Sequence, residues 1–349
     1  VTGAAAAPRI LVVQSGFLGD VVLTTPLVAA LRRRFPRAAL AMLVTAAAAP
    51  LVAAHPALDA VLIDDKRGAG RGVRGLAHLA RRLRRERFTI ALAAHKSLRT
   101  ALALRAAGIA RRIGFASAPG AALYTDRVAR PPDRHDRDRI LGLLAPLGGP
   151  APSGEEHRPW IAVDAATHAR AGDLLAGALA DQRPLAGICP GAAWRTKRWP
   201  VPAFGALVRD LEERGYRCVL LGAGDERPIT AAVRAAAGGR GVDLAGHTDV
   251  GVLAAVLARM AVVVSNDSAP MHLASAAGVP HVAVFCATVP AQGYGPLGSR
   301  ALVVEKDLAC RPCGRHGGTR CPRGTDDCME LVEVAAVAAA VERVRAEAA

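Results

Sequence analysis

An α/β architecture of two successive Rossmann-like domains is what this sequence predicts, and three observations predict it. Short apolar runs alternate with amphipathic stretches of helical period through both halves. At 349 residues the chain is long for one core, so two domains are the first expectation. A Pro-, Gly- and Ser-rich segment, PLGGPAPSGEE at 146–156, interrupts the alternation near the middle. Two βα series of this kind imply a cleft between the domains, with ligands at the carboxyl ends of the strands.

In chain order, ILVV (10–13) reads as a buried strand and is followed by the turn QSGFLGD and a helix over 21–35. LAMLV (40–44) and AVLIDD (60–65) are the next strands, separated by a helix-like stretch around LVAAHP. A helix over 73–87 leads to FTIALAA (88–94), a helix over 98–108 closed by Gly108, and the short strand RRIGFAS (111–117). The second series opens with the helix THARAGDLLAGAL. LAGICPG (185–191), the helix FGALVRDLEERG capped by Gly215, and YRCVLLGAGDE (216–226) follow. VDLAGHTD (242–249), LAAVLARM (253–260), AVVVSND (261–267), the helix over 271–278 and VPHVAVFCAT (279–288) complete the series. The predicted domains are 1–155 and 156–331, with a terminal helix at 332–349 that is free to pack back on the first domain.

Charge narrows the partners. The formal net charge is +15, and of 45 Lys+Arg only Lys66, Lys96, Lys197 and Lys306 are lysines. Such a surface suits nucleic acid, anionic lipid or phosphorylated substrates. Nucleic acid is disfavoured: there is no zinc-finger spacing or RNP-like motif, and aromatic content is 3%, too low for base stacking. An anionic membrane surface is the expected macromolecular partner, while RRLRRER at 81–87 reads as a solvated helix face. No run of about 18 apolar residues is free of charge, so no span is expected. The start, VTGAAAAPRILVV, lacks a secretory pattern, so a cytoplasmic location is expected. Of seven cysteines, Cys189, Cys218 and Cys286 lie in apolar runs and read as buried thiols. Cys310, Cys313, Cys321 and Cys328 form a short cluster open to zinc, a disulfide or free thiols.

Three strand-to-turn motifs carry the chemistry. In AVVVSNDSAPMHLASAAG, Asp267 or Ser268 is placed to cap a helix whose first N–H groups form an anion site suited to a diphosphate. His272, one turn in, reads more readily as structural than as a catalyst. In PGAAWRTKRWP, a loop at a strand's carboxyl end carries Arg195, Lys197 and Arg198, cations able to neutralise phosphate, beside two of the chain's three tryptophans. LLGAGDE lacks the G-x-G-x-x-G spacing of a dinucleotide site, and its Glu226 serves equally as a ribose contact or a helix-start acid. Each motif alone is also what an ordinary loop or helix cap looks like.

Taken together they resemble glycosyltransferase family 9, the ADP-heptose:lipopolysaccharide heptosyltransferases, and its heptosyltransferase II branch in particular. The resemblance runs through SGFLGDVVLTTPLVAALRRRFP, RRIGF with LYTDRV, PGAAWRTKRWP, LAGHTD, SNDSAPMHLASAAGVPHVAVF and the terminal cysteine segment. It implies a GT-B fold, with acceptor on the N-terminal domain and nucleotide-sugar donor on the C-terminal domain. It further implies an inverting transferase moving a heptose from ADP-heptose to the lipid A–Kdo inner core, at the cytoplasmic face of the inner membrane. Asp20 matches the general base. Lys197 matches the phosphate-binding lysine, Asp267 and Ser268 the donor-contacting helix start, and Glu226 a ribose contact. Arg195, Ala269 and His272 complete the expected donor set. Ser15, Gly16 and Gly19 shape the turn at Asp20, and His95, Lys96 and Arg99 in HKSLRT are expected to face the acceptor's anionic groups. No cofactor or catalytic metal is expected. The family pattern has glycine where Ala269 stands; were that backbone left-handed, alanine would be costly. A member using another nucleotide sugar, or a non-catalytic nucleotide-sugar-binding protein, is the alternative.

Overall fold

Ile10–Val13 are buried, which suits a strand covered on both faces. In the computed structural model this segment, β1 (Arg9–Val13), lies inside a parallel sheet. Residues 7–66, 68, 70–149 and 157–346 are described. The chain divides into two units, Val1–Ala162 and Val163–Ala349.

The first unit runs β1, α1 (Leu18–Arg34), β2 (Ala39–Val44), β3 (Ala60–Ile63), α2 (Gly72–Arg85), β4 (Ile90–Ala93), α3 (Leu98–Ala106), β5 (Arg111–Phe115), β6 (Asp126–Val128) and α4 (Asp136–Leu141). Its sheet order is β3-β2-β1-β4-β5-β6. Helix α1 carries acid in its first turn and Arg32, Arg33 and Arg34 in its last, complementing the helix dipole. Pro26 inside it removes a bond to the carbonyl of Val22, and Thr25 Oγ1 donates to that oxygen at 2.8 Å instead.

The second unit runs α5 (Ala165–Leu179), β7 (Leu185–Cys189), α6 (Val201–Glu213), β8 (Arg217–Leu220), α7 (Arg227–Ala236), β9 (Val242–Asp243), α8 (Val250–Leu257), β10 (Val262–Asn266), α9 (Ala269–Ala277), β11 (His281–Phe285), β12 (Ala301–Glu305), α10 (Asp327–Glu330) and α11 (Val334–Ala346). Its order is β12-β11-β10-β7-β8-β9. Read from the other edge, this is the arrangement of the first sheet. In each sheet the strand order reverses beside the unit's first strand, between β1 and β4 and between β7 and β10. Those are the positions where doubly wound sheets bind ligands.

Of the predicted linker 146–156, residues 150–156 lie outside the described residues. The first unit extends to Ala162. Its last stretch is tied down by Trp160, whose N–H donates to Thr25 Oγ1 at 2.9 Å and whose ring meets His55 edge-on at 4.9 Å. The terminal helix α11 turns its apolar face into its own unit. Val337, Ala338, Val341 and Val344 are buried in the second unit's own core with Phe204 and Val284. Among the described residues no helix is long and apolar enough to cross a membrane.

Candidate functional site

In the first unit, Asp20 lies in the opening turn of α1. The helix begins at Leu18 with Phe17 as N-cap, so Asp20 lies inside the first turn. It is the acid three residues in, and its Oδ2 accepts from the Phe17 N–H at 3.2 Å. Gly19 falls inside the helix and is buried rather than lining an open turn. Gly16 carries the close approach: a Cβ there would lie 2.7 Å from Asp20 Oδ2 and 2.8 Å from Gln14 Oε1.

Ser15, after β1, and His95, after β4, meet at the reversal point. His95 Nδ1 lies 3.3 Å from the Val13 carbonyl, and its Nε2 lies 3.3 Å from Ser15 Oγ and 3.1 Å from Thr100 Oγ1. A carbonyl only accepts, so the proton sits on Nδ1, and Nε2 is the acceptor facing the two hydroxyls. Burial pushes the His95 pKa down to about 4; the hydrogen bond to Val13 opposes this, and the charge of Lys66 adds to it. Its ring is therefore neutral near pH 7, a polar contact rather than a cation for acceptor anions. Arg99 is paired with Asp64, Nη2 to Oδ1 at 2.9 Å, so its charge is largely compensated. Lys96 is half-buried, one residue before Ser97, whose hydroxyl caps α3. Lys66, which the motifs did not single out, donates from Nζ to the carbonyl of Ser15.

In the second unit, the short 3-10 turn Arg195–Lys197 after β7 brings Lys197 Nζ to 2.6 Å from Asp267 Oδ2, after β10. Asp267 is buried and also accepts from Thr288 Oγ1 at 2.6 Å. Asn266 locks the two strand ends together: its Nδ2 donates to Pro190 O at 2.8 Å and its Oδ1 accepts from the Trp199 N–H at 2.9 Å. Ser268 is the N-cap of α9 but makes no side-chain capping bond, and its hydroxyl turns back to Asn266 O at 3.3 Å. Ala269 is the first residue of α9 and is not among the residues of positive φ, so its side chain meets no left-handed penalty. His272 is buried one turn in. Glu226 Oε2 accepts from the Ala223 N–H at 2.9 Å, and its carboxylate lies so close over Gly191 that a Cβ there would come within 1.9 Å of Oε1.

Arg195, expected in the donor set, is ion-paired. Its Nη2 contacts both oxygens of Asp326, at 2.9 and 3.0 Å, and its Nε donates to Thr319 O at 3.0 Å. Trp199 is core, with its indole N–H donating to Val332 O at 3.0 Å and its ring edge-on to Phe204. The cysteine segment lies on the Lys197 loop: Thr196 N donates to Gly318 O at 3.1 Å, Gly318 N returns to Thr196 Oγ1 at 2.8 Å, and Cys313 N donates to Ala287 O at 2.8 Å. All seven cysteines are unbridged. Backbone hydrogen bonds from Asp326 and Arg323 pull the Cys321 thiol down, while burial pushes Cys328 up to about 11. Among the described residues no three His, Cys, Asp or Glu side chains group as metal ligands.

A family model described as glycosyltransferase family 9 (heptosyltransferase) matches residues 76–320. The chain belongs to glycosyltransferase family 9. A curated relative, lipooligosaccharide heptosyltransferase 2 of Haemophilus influenzae, is 27% identical over 307 residues, 85% of this chain and 88% of that protein. A family 9 glycosyltransferase from Veillonella parvula superposes with a TM-score of 0.88 at 23% identity, covering 99% of both chains. The E. coli ADP-heptose lipopolysaccharide heptosyltransferase II does so at 0.80 and 22%, covering 97% of this chain and 99% of that one. The fold is thus GT-B and the chain is a glycosyltransferase. As a family 9 enzyme it carries one polar constellation at the reversal point of each sheet. Gln14, Asp64, Lys66, Asn266 and Thr288 belong to these constellations, and sequence reasoning missed them. Asp64 and Asn266 left a trace as polar residues ending apolar runs.

Proposed function

We propose that this enzyme transfers L-glycero-D-manno-heptose from ADP-heptose to the lipid A–Kdo inner core of lipopolysaccharide, with inversion at the anomeric carbon. The observation that carries the reading is the Lys197–Asp267 pair, 2.6 Å apart beside the start of α9. A lysine ammonium and helix-start N–H groups suit a diphosphate leaving group. Asp20 takes the proton from the acceptor hydroxyl as that oxygen bonds to the anomeric carbon. The bond from that carbon to ADP breaks, and the departing negative charge stays on the diphosphate beside Lys197. Asp267 orients the lysine and Thr288 holds Asp267. Glu226 serves the ribose, and Ser15, His95 and Lys96 serve the acceptor. The acceptor is a membrane lipid, so the enzyme works at the cytoplasmic face of the inner membrane.

The test mixes the purified chain with ADP-heptose and a truncated core acceptor, with ADP release and product mass as readouts. Asp20→Asn is expected to lower kcat by about 10²–10⁴-fold, the usual contribution of a general base. Lys197→Ala is expected to lower kcat/KM by about 10²-fold or more. Near-normal turnover by Asp20→Asn would remove the base assignment. Preferential transfer from another nucleotide sugar would replace the donor.

A further inference from the structure

From Lys66 to Arg85 the sequence carries eight Lys and Arg residues and no acid. Helix α2 turns much of that charge outward. Arg74, Arg81 and Arg85 recur at 7 and 4 residues, which places them on one side of the helix, with His78 between them. All four are exposed. The three guanidinium groups form no hydrogen bond or ion pair among the described residues. Exposed arginines elsewhere are commonly paired, as Arg214 is with Asp210 and Arg240 with Glu213.

A second observation lies at the N-terminal end of α2. Val73 is 82% exposed, Phe17 58%, Leu98 48% and Ile63 41%. Each sits where a strand ends or a helix begins: Phe17 before α1, Ile63 at the end of β3, Val73 at the start of α2 and Leu98 at the start of α3. In a parallel sheet these positions share the carboxyl edge, the edge that holds Asp20 and His95. An apolar rim therefore adjoins a basic helix at the mouth of the proposed acceptor site.

We propose that the exposed face of α2, with the rim at its N-terminal end, is a docking surface for an anionic phospholipid bilayer. The helix does not insert. Its apolar residues Leu79 and Leu83 are buried in the fold, so apart from Val73 in its first turn it offers the headgroups a basic face. Fourteen residues make a helix about 21 Å long. Its unpaired arginines can lie within one Debye length of a charged surface along that length. The aliphatic stems of the arginines and the rim residues Val73 and Leu98 contribute apolar contact at the interface. This deepens the reading above, in which the acceptor is a membrane lipid. It is tested separately, because vesicles without acceptor require no donor and no chemistry.

The experiment is flotation of the full chain with vesicles of phosphatidylcholine alone and with about one third phosphatidylglycerol. Binding to the anionic vesicles only, lost at about 0.5 M salt, is expected. The variant R74Q/R81Q/R85Q is expected to bind at least about tenfold more weakly. It should retain wild-type kinetics on a soluble, de-acylated acceptor, which shows that it is folded. A charge-matched control, R209Q/R214Q/R240Q, should bind as wild type. Equal binding to neutral vesicles, undiminished binding by the α2 variant, or an equal loss in the control would each overturn the proposal. So would binding of duplex DNA, but not of vesicles, that depends on the same three arginines.

Discussion

A methyl group on Gly16 would meet Asp20 Oδ2 at 2.7 Å, and one on Gly191 would meet Glu226 Oε1 at 1.9 Å. At both positions the missing side chain makes room for a carboxylate. Gly16→Ala should push the Asp20 carboxylate off its Phe17 N–H. The expected result is a fall in kcat of about 10²-fold with little change in melting temperature, since misplacement by about 1 Å is costly to catalysis. Steady-state kinetics beside a thermal scan would check it; unchanged kcat would mean the carboxylate position is immaterial. Asp20, Lys197 and Asp267 could be proposed from sequence alone, because each follows closely on an apolar strand. Sequence could not find Lys66, Thr288 or Asn266 as partners. Their contacts join different strand ends, and which strands are neighbours is a property of the sheet order. The partners of Arg195 and Arg99 were hidden for the same reason: Asp326 and Asp64, which pair with them, are remote in sequence.

Among elements, the cysteine segment and the Lys197 loop behave as one piece. Arg195 to Asp326, Thr196 to Gly318 and Cys313 to Ala287 stitch them together. Arg195→Ala removes an ion pair whose arginine is 44% exposed, so the stability change should stay below about 1 kcal/mol. The loop that presents Lys197 loosens, and the expected readout is weaker ADP binding by calorimetry, on the order of threefold to tenfold. An unchanged affinity would show that the cysteine segment does not organise the loop. Trp199→Ala is a different kind of change. It empties a core site where the indole packs on Phe204 and bonds Val332 O, and should cost about 3–5 kcal/mol by denaturant titration. The sequence placed the central strands well because their apolar runs are unbroken. Edge strands β6 and β12 escaped it: the first is three residues long with a charged pair, the second only half-buried. Helix α1 starts three residues earlier than its apolar period suggested, because Asp20 stabilises the first turn from within it.

At the scale of the molecule, both units carry histidines that burial holds neutral. His55 and His95 of the first unit are brought down to about 4, chiefly by burial, and His281 of the second is lowered for the same reason. The unfolded chain, with ordinary histidines near 6.5, binds more protons in that window. Stability from this source is complete above about pH 6.5 and is lost as pH falls towards 4. The full loss is on the order of 3–4 kcal/mol for each of the two first-unit rings, at about 1.4 kcal/mol per pH unit. Urea midpoints measured from pH 7.5 to 4.5 should fall mostly below pH 6.5, and His55→Gln should flatten the curve. A midpoint independent of pH would show these rings are not held neutral.

The two sheets share one strand order, and each is completed by strands from its own stretch of chain: β1 to β6 from the first 162 residues, β7 to β12 from the remainder. Neither sheet waits for a strand from the other. During synthesis the leading half can close its pairing while the trailing half is still on the ribosome. Only one set of unsatisfied strand edges is then exposed at a time.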